Sequence, residues 1–117
     1  MKLSFFWGWS FGELAPRCTT GVCNEDGVDL LACLLLDGGG APYLEAAPLI
    51  DNGLLSIQRV RTESLKESEW IRECWGAVFS VERVRISSLY DENYFVDMDL
   101  DDFERALSEW KSFIVSG

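Results

Sequence analysis

Histidine is missing from this chain of 117 residues. Its absence removes the usual general base near neutral pH and the commonest metal ligand. Serine–histidine and cysteine–histidine nucleophile pairs are excluded outright. Positive charge is scarce as well. Ten Lys and Arg against twenty Asp and Glu leave a net charge of −10. That balance aids solubility and opposes contact with nucleic acid or an anionic membrane. It favours cationic partners. No apolar run approaches the roughly 18 residues of a membrane span. There is no internal repeat, low-complexity tract or linker.

The four cysteines, Cys18, Cys23, Cys33 and Cys74, form no closed ligand set. Cys18-x4-Cys23 is loosely zinc-like, but Cys33 and Cys74 supply no second close pair. They read as scattered small hydrophobes, Cys33 above all, inside the run Leu30–Leu36. A Cys18–Cys23 disulfide would need an oxidising compartment. The opening Met1-Lys2 and the segment Leu3–Phe11 superficially imitate a signal peptide. The segment is aromatic rather than rich in Leu and Ala, Glu13 follows, and no small-x-small site precedes Cys18. A strand and a cytoplasmic location are expected instead.

The length fits one domain, spanning residues 1–117, and a domain of this size buries roughly 65% of its unfolded surface. Leu3, Phe5, Trp7, Trp9 and Phe11 alternate with smaller residues, which predicts a half-buried strand with an aromatic face. Residues 12–27 read as loop. Val28–Leu36 reads as a buried strand closed by the turn Gly38-Gly39-Gly40, with a helix left open. Residues 41–52, holding Pro42 and Pro48, read as irregular, and 53–61 as another strand. Ser64-Leu65-Lys66-Glu67 matches a capping box. Ile71, Cys74, Trp75 and Val78 follow at helical spacing, which predicts a helix over about 65–75.

Residues 81–90 return to strand character, with Val84 and Ile86 on one face. Asp91-Glu92-Asn93 marks a hairpin turn, and Tyr94–Met98 the return strand. Leu100, Phe103, Leu107, Trp110 and Ile114 recur at steps of three and four, predicting an amphipathic helix over 100–114. Asp99 is its expected N-cap, with Met98 stapled to Phe103. Asp101, Asp102 and Glu104 fall where the helix dipole favours negative charge. The expected class is α+β: one domain, a mainly antiparallel sheet of about five strands and two packed helices.

The stretch 91–104 is the most distinctive. It carries seven carboxylates and no Lys or Arg, interleaved with Tyr94, Phe95, Val96, Met98, Leu100 and Phe103. A purely acidic run would be disordered. This one keeps enough apolar residues to fold, so its charge is expected on an ordered surface. Asp97-Met98-Asp99-Leu100-Asp101 opens like a calcium loop, but Asp102 and Ser108 occupy the positions that need Gly and Glu. The aspartate-nucleophile signature of haloacid-dehalogenase-like phosphatases fails too, since Asp101 replaces the usual Thr or Val and little chain follows. Adjacent carboxylates at a strand-to-helix junction read as capping and surface charge before glycosidase-type catalysis. Gly38-Gly39-Gly40 has no Lys-Ser or Lys-Thr partner and reads as a turn. Arg59, Arg61, Arg83 and Arg85 sit at alternate positions of two expected strands, without a continuous basic stripe. Most of the five tryptophans read as core. Trp70, between Glu69 and Arg72, is the one expected at the surface, as a binding anchor or a partly covered side chain.

A strand, then Val96-Asp97-Met98-Asp99-Leu100-Asp101-Asp102-Phe103, then a helix with a late Trp resembles the small acidic immunity proteins of bacterial polymorphic-toxin and contact-dependent inhibition systems. The resemblance covers about the last 35 residues. It implies a cytosolic antitoxin, not an enzyme. Such a protein binds one cognate toxin domain, itself basic, and blocks its working surface. The residues expected to contribute are Asp91, Glu92, Asp97, Asp101, Asp102 and Glu104, with Trp70 and Tyr94 as anchors. No cofactor, metal, nucleic acid or membrane is called for, and the free protein is expected to be a monomer or weak dimer. The alternatives are a small carboxylate-based, metal-assisted enzyme and a regulatory or structural oligomer subunit.

Overall fold

Strand β1 (Ser4–Ser10) carries the predicted aromatic alternation, and β2 (Glu13–Thr19) folds straight back on it. The two pair antiparallel from Ser4↔Thr19 to Ser10↔Glu13. Only Phe11 and Gly12 connect them, both at positive φ, 53° and 80°. Two such residues give the turn whose twist suits a hairpin. The loop expected over residues 12–27 is therefore strand for its first half. Pro16 obscures this in the sequence, because proline is tolerated only at a sheet edge, and β2 is an edge. The computed structural model describes residues 1–38, 42–63 and 65–116. The turn expected at Gly39-Gly40 and the cap assigned to Ser64 lie outside the described residues.

The run 28–36 is helix α1 (Leu30–Leu35), not the favoured strand. Asp29 decides it locally: its side chain caps the helix by accepting the Ala32 N–H at 3.0 Å. A short 3-10 turn (Tyr43–Glu45) leads into α2 (Ala46–Thr62). This long helix replaces the irregular segment and the strand expected over 41–61. Pro48 falls in its first turn, where the missing N–H has no intrahelical partner to lose. Ile50, Gly53, Ile57 and Val60 form its buried stripe.

The helix expected over 65–75 does not exist. Its residues form the hairpin of β3 (Ser68–Ile71) and β4 (Trp75–Phe79). Most of the supposed apolar stripe faces outward: Ile71, Cys74 and Val78 are exposed, Trp75 is half-buried, and Trp70, Ala77 and Phe79 are buried. The helical spacing of those four residues is coincidental. Strands β5 (Val84–Ser88) and β6 (Phe95–Met98) complete a four-stranded antiparallel sheet in the order β3-β4-β5-β6. The turn at 91–93 forms as expected, with the Tyr94 N–H on the Asp91 carbonyl at 3.0 Å. Helix α3 (Leu100–Ser116) follows, capped by Asp99 through the Asp102 N–H at 2.7 Å.

The class is thus α+β, and the described residues form six antiparallel strands in two sheets rather than one, with three α-helices, two of them long. Helices α2 and α3 run antiparallel. Asp51 meets Lys111 at one end and Arg61 meets Asp101 at the other, both at 2.6 Å. Their apolar stripes close the core against Ala77, Phe79, Val84 and Ile86 of the sheet. Phe79 and Phe103 pack at 5.7 Å between ring centroids. The hairpin base rests on the far end of α3, where Phe5 packs on Trp110 and Phe113 at 5.6 and 5.5 Å. Among the described residues no helix is long and apolar enough to cross a membrane.

Candidate protein-interaction surface

Strand β6 divides the acidic stretch. Asp91 and Glu92 sit in the turn before it, exposed, and Asp101, Asp102 and Glu104 begin α3 just after it. Four residues of strand hold these two groups roughly 13 Å apart. Asp97 lies between them and is already occupied. It pairs across the sheet with Arg85, whose Nε and Nη2 reach its two carboxylate oxygens at 2.8 and 3.0 Å. These hydrogen bonds, with the charges of Arg85 and Arg83 added, hold the Asp97 carboxyl below the usual carboxylate range against partial burial. Arg85 also lies 3.9 Å over the Phe95 ring, a cation–π contact that fixes it in place.

Arg61 reaches across from α2 to Asp101 at 2.6 Å and Glu104 at 3.4 Å. Three of the expected contact residues are therefore committed within the molecule. The Asp91 carboxylate orders its own turn by accepting the Asn93 N–H at 3.0 Å. Glu92 and Asp102 form no ion pair among the described residues. Over 91–104, seven carboxylates face Arg61, Arg83 and Arg85, an excess of four. The edge stays anionic, in two groups rather than one continuous ledge.

The two expected aromatic anchors fare differently. Trp70 is only 6% exposed, and its indole N–H donates to the Leu49 carbonyl at 2.9 Å. It offers a partner no surface, which corrects its assignment. It falls on the inward face of β3, a fact hidden while the segment is read as helix. Tyr94 is half-buried beside Trp75, ring centroids 6.1 Å apart, next to the Asp91–Asn93 turn.

Two acidic residues outside this stretch do structural work. Asp29 accepts the Thr20 N–H at 2.6 Å, the Thr20 hydroxyl at 2.5 Å and the Gly21 N–H at 3.1 Å, besides capping α1. It ties the end of β2 to the start of that helix. Asp37 accepts the N–H groups of Cys74 and Trp75 at 2.7 and 2.9 Å, which fixes the β3–β4 turn. All four cysteines are free thiols; Cys18 is buried and Cys23 exposed. Burial first, then the nearby Asp29 and Cys33, push the Cys18 thiol up to about 12. Among the described residues no three of Cys, Asp and Glu gather closely enough to hold a metal ion.

The hairpin tip is absent from the expected site. Trp9 and Leu14 are exposed and sit opposite one another, and Phe11 between them is fully exposed. Phe11 adopts a left-handed φ of 53°, which costs a non-glycine residue roughly 1–2 kcal/mol. The dipeptide Phe11-Gly12 between two apolar stretches was the available signal, and the long aromatic face masked it. No family model, curated protein or solved structure matches this chain.

Proposed function

We propose that this chain is a binding protein rather than an enzyme, an immunity-type antitoxin that docks on one basic toxin domain and covers its working surface. The observation that carries the reading is the residual charge at the β6 edge. Glu92 and Asp102 have no intramolecular ion partner among the described residues, and Asp91 spends its carboxylate on a single turn amide. What sets these three apart is their place together on one ordered edge with Asp97, Asp101 and Glu104. Held on a turn and a helix start, these three keep their positions without further ordering. Such preset charge steers a cationic partner into register and raises its association rate.

The division of labour along the edge follows from the ion pairs. Asp91, Glu92 and Asp102 meet the toxin. Tyr94, half-buried beside them, supplies apolar area. Asp97, Asp101 and Glu104 hold the edge in shape through Arg85 and Arg61. An area of about 800 Å² on this side suffices for a standard interface. The location that fits this role is the cytoplasm.

The gene immediately upstream is the first observation to make. The reading expects a large secreted protein with a short variable C-terminal domain. That domain, expressed alone, should arrest growth, and co-expression of this chain should relieve the arrest. The variant Asp91→Lys/Glu92→Lys/Asp102→Lys should then associate roughly ten- to a hundredfold more slowly, with a flattened salt dependence. If it binds and neutralises like the parent, the acidic edge is not the interface.

A further inference from the structure

Strand β6 is the last strand of its sheet, so one side of its backbone has no neighbouring strand. The bonds to β5 identify the groups left free there. The Ser88 N–H donates to the Tyr94 carbonyl at 3.1 Å, which makes Ser88 and Tyr94 a hydrogen-bonded pair. Such pairs alternate along an antiparallel ladder. Phe95 opposite Ser87 and Asp97 opposite Arg85 are therefore non-bonded pairs. Their N–H and C=O groups point away from β5, and among the described residues nothing bonds to them. The β4–β5 ladder agrees. The Ser80 N–H donates to the Arg83 carbonyl at 2.9 Å, so Arg85 and Ser87 turn their backbone groups to β4 and not to β6. No proline interrupts β6. A bare edge of this kind is where an extended chain adds as a new strand.

The charge along the edge is uneven. Asp91 and Glu92 lie at its start and Asp102 at its end. Arg61 of α2 takes Asp101 and Glu104 on one flank of α3. Asp102 lies about 100° round the helix from Asp101, on the flank turned away from α2. In the middle, Asp97 is shared by Arg85 and Arg83 at 2.8 and 3.7 Å, so it has no negative charge to spare. Two anionic ends, roughly 13 Å apart, thus bracket a centre without one. The opposite edge of the sheet differs. By the same alternation its outward backbone groups belong to Glu69 and Ile71 of β3. Lys66 and Glu67 precede that strand and Arg72 and Glu73 follow it, so its charge selects neither sign.

We propose that the free edge of β6 takes an extended segment of the partner protein as a fifth strand, with Lys or Arg at positions four apart and neutral residues between them. This docking mode rests on the antitoxin reading and specifies how the basic partner binds. Four residues of strand span about 13 Å, so one cation meets Asp91 and Glu92 while the other meets Asp102. The backbone between them bonds to Phe95 and Asp97. A third cation in the middle would face Arg83 and Arg85. A second copy of this chain does not fit the edge. Pairing β6 with β6 in either direction sets acid against acid, on chains that each carry a net charge of −10.

The test uses the intact chain and capped peptides with the core Lys-Val-Thr-Val-Lys, titrated at low salt and followed by amide NMR. In the free chain the Phe95 and Asp97 amides should exchange fast and the Val96 amide slowly. At saturation the Lys peptide should slow Phe95 and Asp97 about tenfold and leave Glu69 and Ile71 unchanged. Its Kd should lie about tenfold below that of a Glu twin, and a Lys in place of the central Thr should not lower it further. N-methylation of alternate peptide residues should abolish binding for one set of positions and spare it for the other. Asp91→Lys/Glu92→Lys/Asp102→Lys should invert the Lys-over-Glu preference. A Lys peptide that binds without protecting Phe95 and Asp97 overturns strand addition and leaves the acidic edge standing as an interface. Protection of those amides with no preference for Lys over Glu overturns the cationic segment and the antitoxin reading together. Protection of Glu69 and Ile71 instead, equal effects of the two methylated sets, or no resonance shifted at about 1 mM peptide overturns the fifth strand.

Discussion

Gly53 lies in the middle of α2, buried, with no side chain between the helix and the Trp70 indole. Two effects oppose one another in Gly53→Ala. Alanine is the better helix former by roughly 1 kcal/mol. A Cβ there would stand 3.1 Å from Cδ2 and Cε2 of Trp70 and 3.0 Å from Cδ2 of Leu107. Both distances are tighter than nearly all carbon–carbon contacts at a Cβ, so a neighbour must give by a few tenths of an ångström. Neither has room to do so. The indole is held by the Leu49 carbonyl, one turn away on the same helix, and Leu107 is completely buried. Overpacking of this kind costs about 1–3 kcal/mol. The steric effect offsets or outweighs the propensity gain, and the variant should lose up to about 2 kcal/mol. For a domain of this size that is a drop of up to about 8 °C in Tm. Urea unfolding followed by tryptophan fluorescence and circular dichroism reads it directly. In the Trp70→Ala background the same substitution should cost less, with a coupling of about 1 kcal/mol. A Gly53→Ala variant more stable than its parent would show that Leu107 or the indole gives way at little cost, and would refute the steric argument.

Asp29→Ala strands the Thr20 amide and hydroxyl and the Ala32 amide together, so it should destabilise by roughly 2–4 kcal/mol in the same unfolding assay; a neutral result would mean that water replaces the carboxylate. Asp99→Ala removes the α3 cap and should cost about 1 kcal/mol, measured as a lower urea midpoint, before it changes any binding. Cys18 sets a pH dependence. Its folded value of about 12 lies above the ordinary 9.0, so the native state holds the proton more tightly than the unfolded one. That contribution is complete below about pH 9 and is lost as pH rises towards 12. The urea midpoint should therefore fall more steeply above pH 9 in the parent than in Cys18→Ala. At neutral pH a maleimide should label the exposed Cys23 and Cys74 and spare Cys18 until the chain unfolds; equal labelling of Cys18 would refute its burial.

The elements legible beforehand are those whose signals lie within a few residues. The aromatic alternation of β1, the Asp91–Asn93 turn, the Asp99 cap and the apolar stripe of α3 are all local. The sequence pattern misreads five elements: β2, α1, α2, β3 and β4. Leu30–Leu35 is apolar throughout, so periodicity is silent and Asp29 tips it to helix while also holding Thr20. Helix α2 was obscured by Pro48 and Gly53, harmless respectively because of a first-turn position and a tryptophan from another strand. In β3–β4 three of the four residues at helical spacing, Ile71, Cys74 and Val78, are the exposed ones, and only Trp75 packs against the core.

The site divides in the same way. An excess of carboxylates over 91–104, the absence of histidine and the α+β class follow from composition and short-range pattern alone. Which carboxylates remain available does not. Arg61 and Asp101 are 40 positions apart in the chain, and only the antiparallel packing of α2 on α3 brings them into contact. The burial of Trp70 depends on a glycine in a helix it does not adjoin in sequence. Caps, turns and stripes are energies between neighbours along the chain, and a sequence displays them. Ion pairing, burial and exposed edges are energies between neighbours in space, and those exist only once the chain has closed on itself.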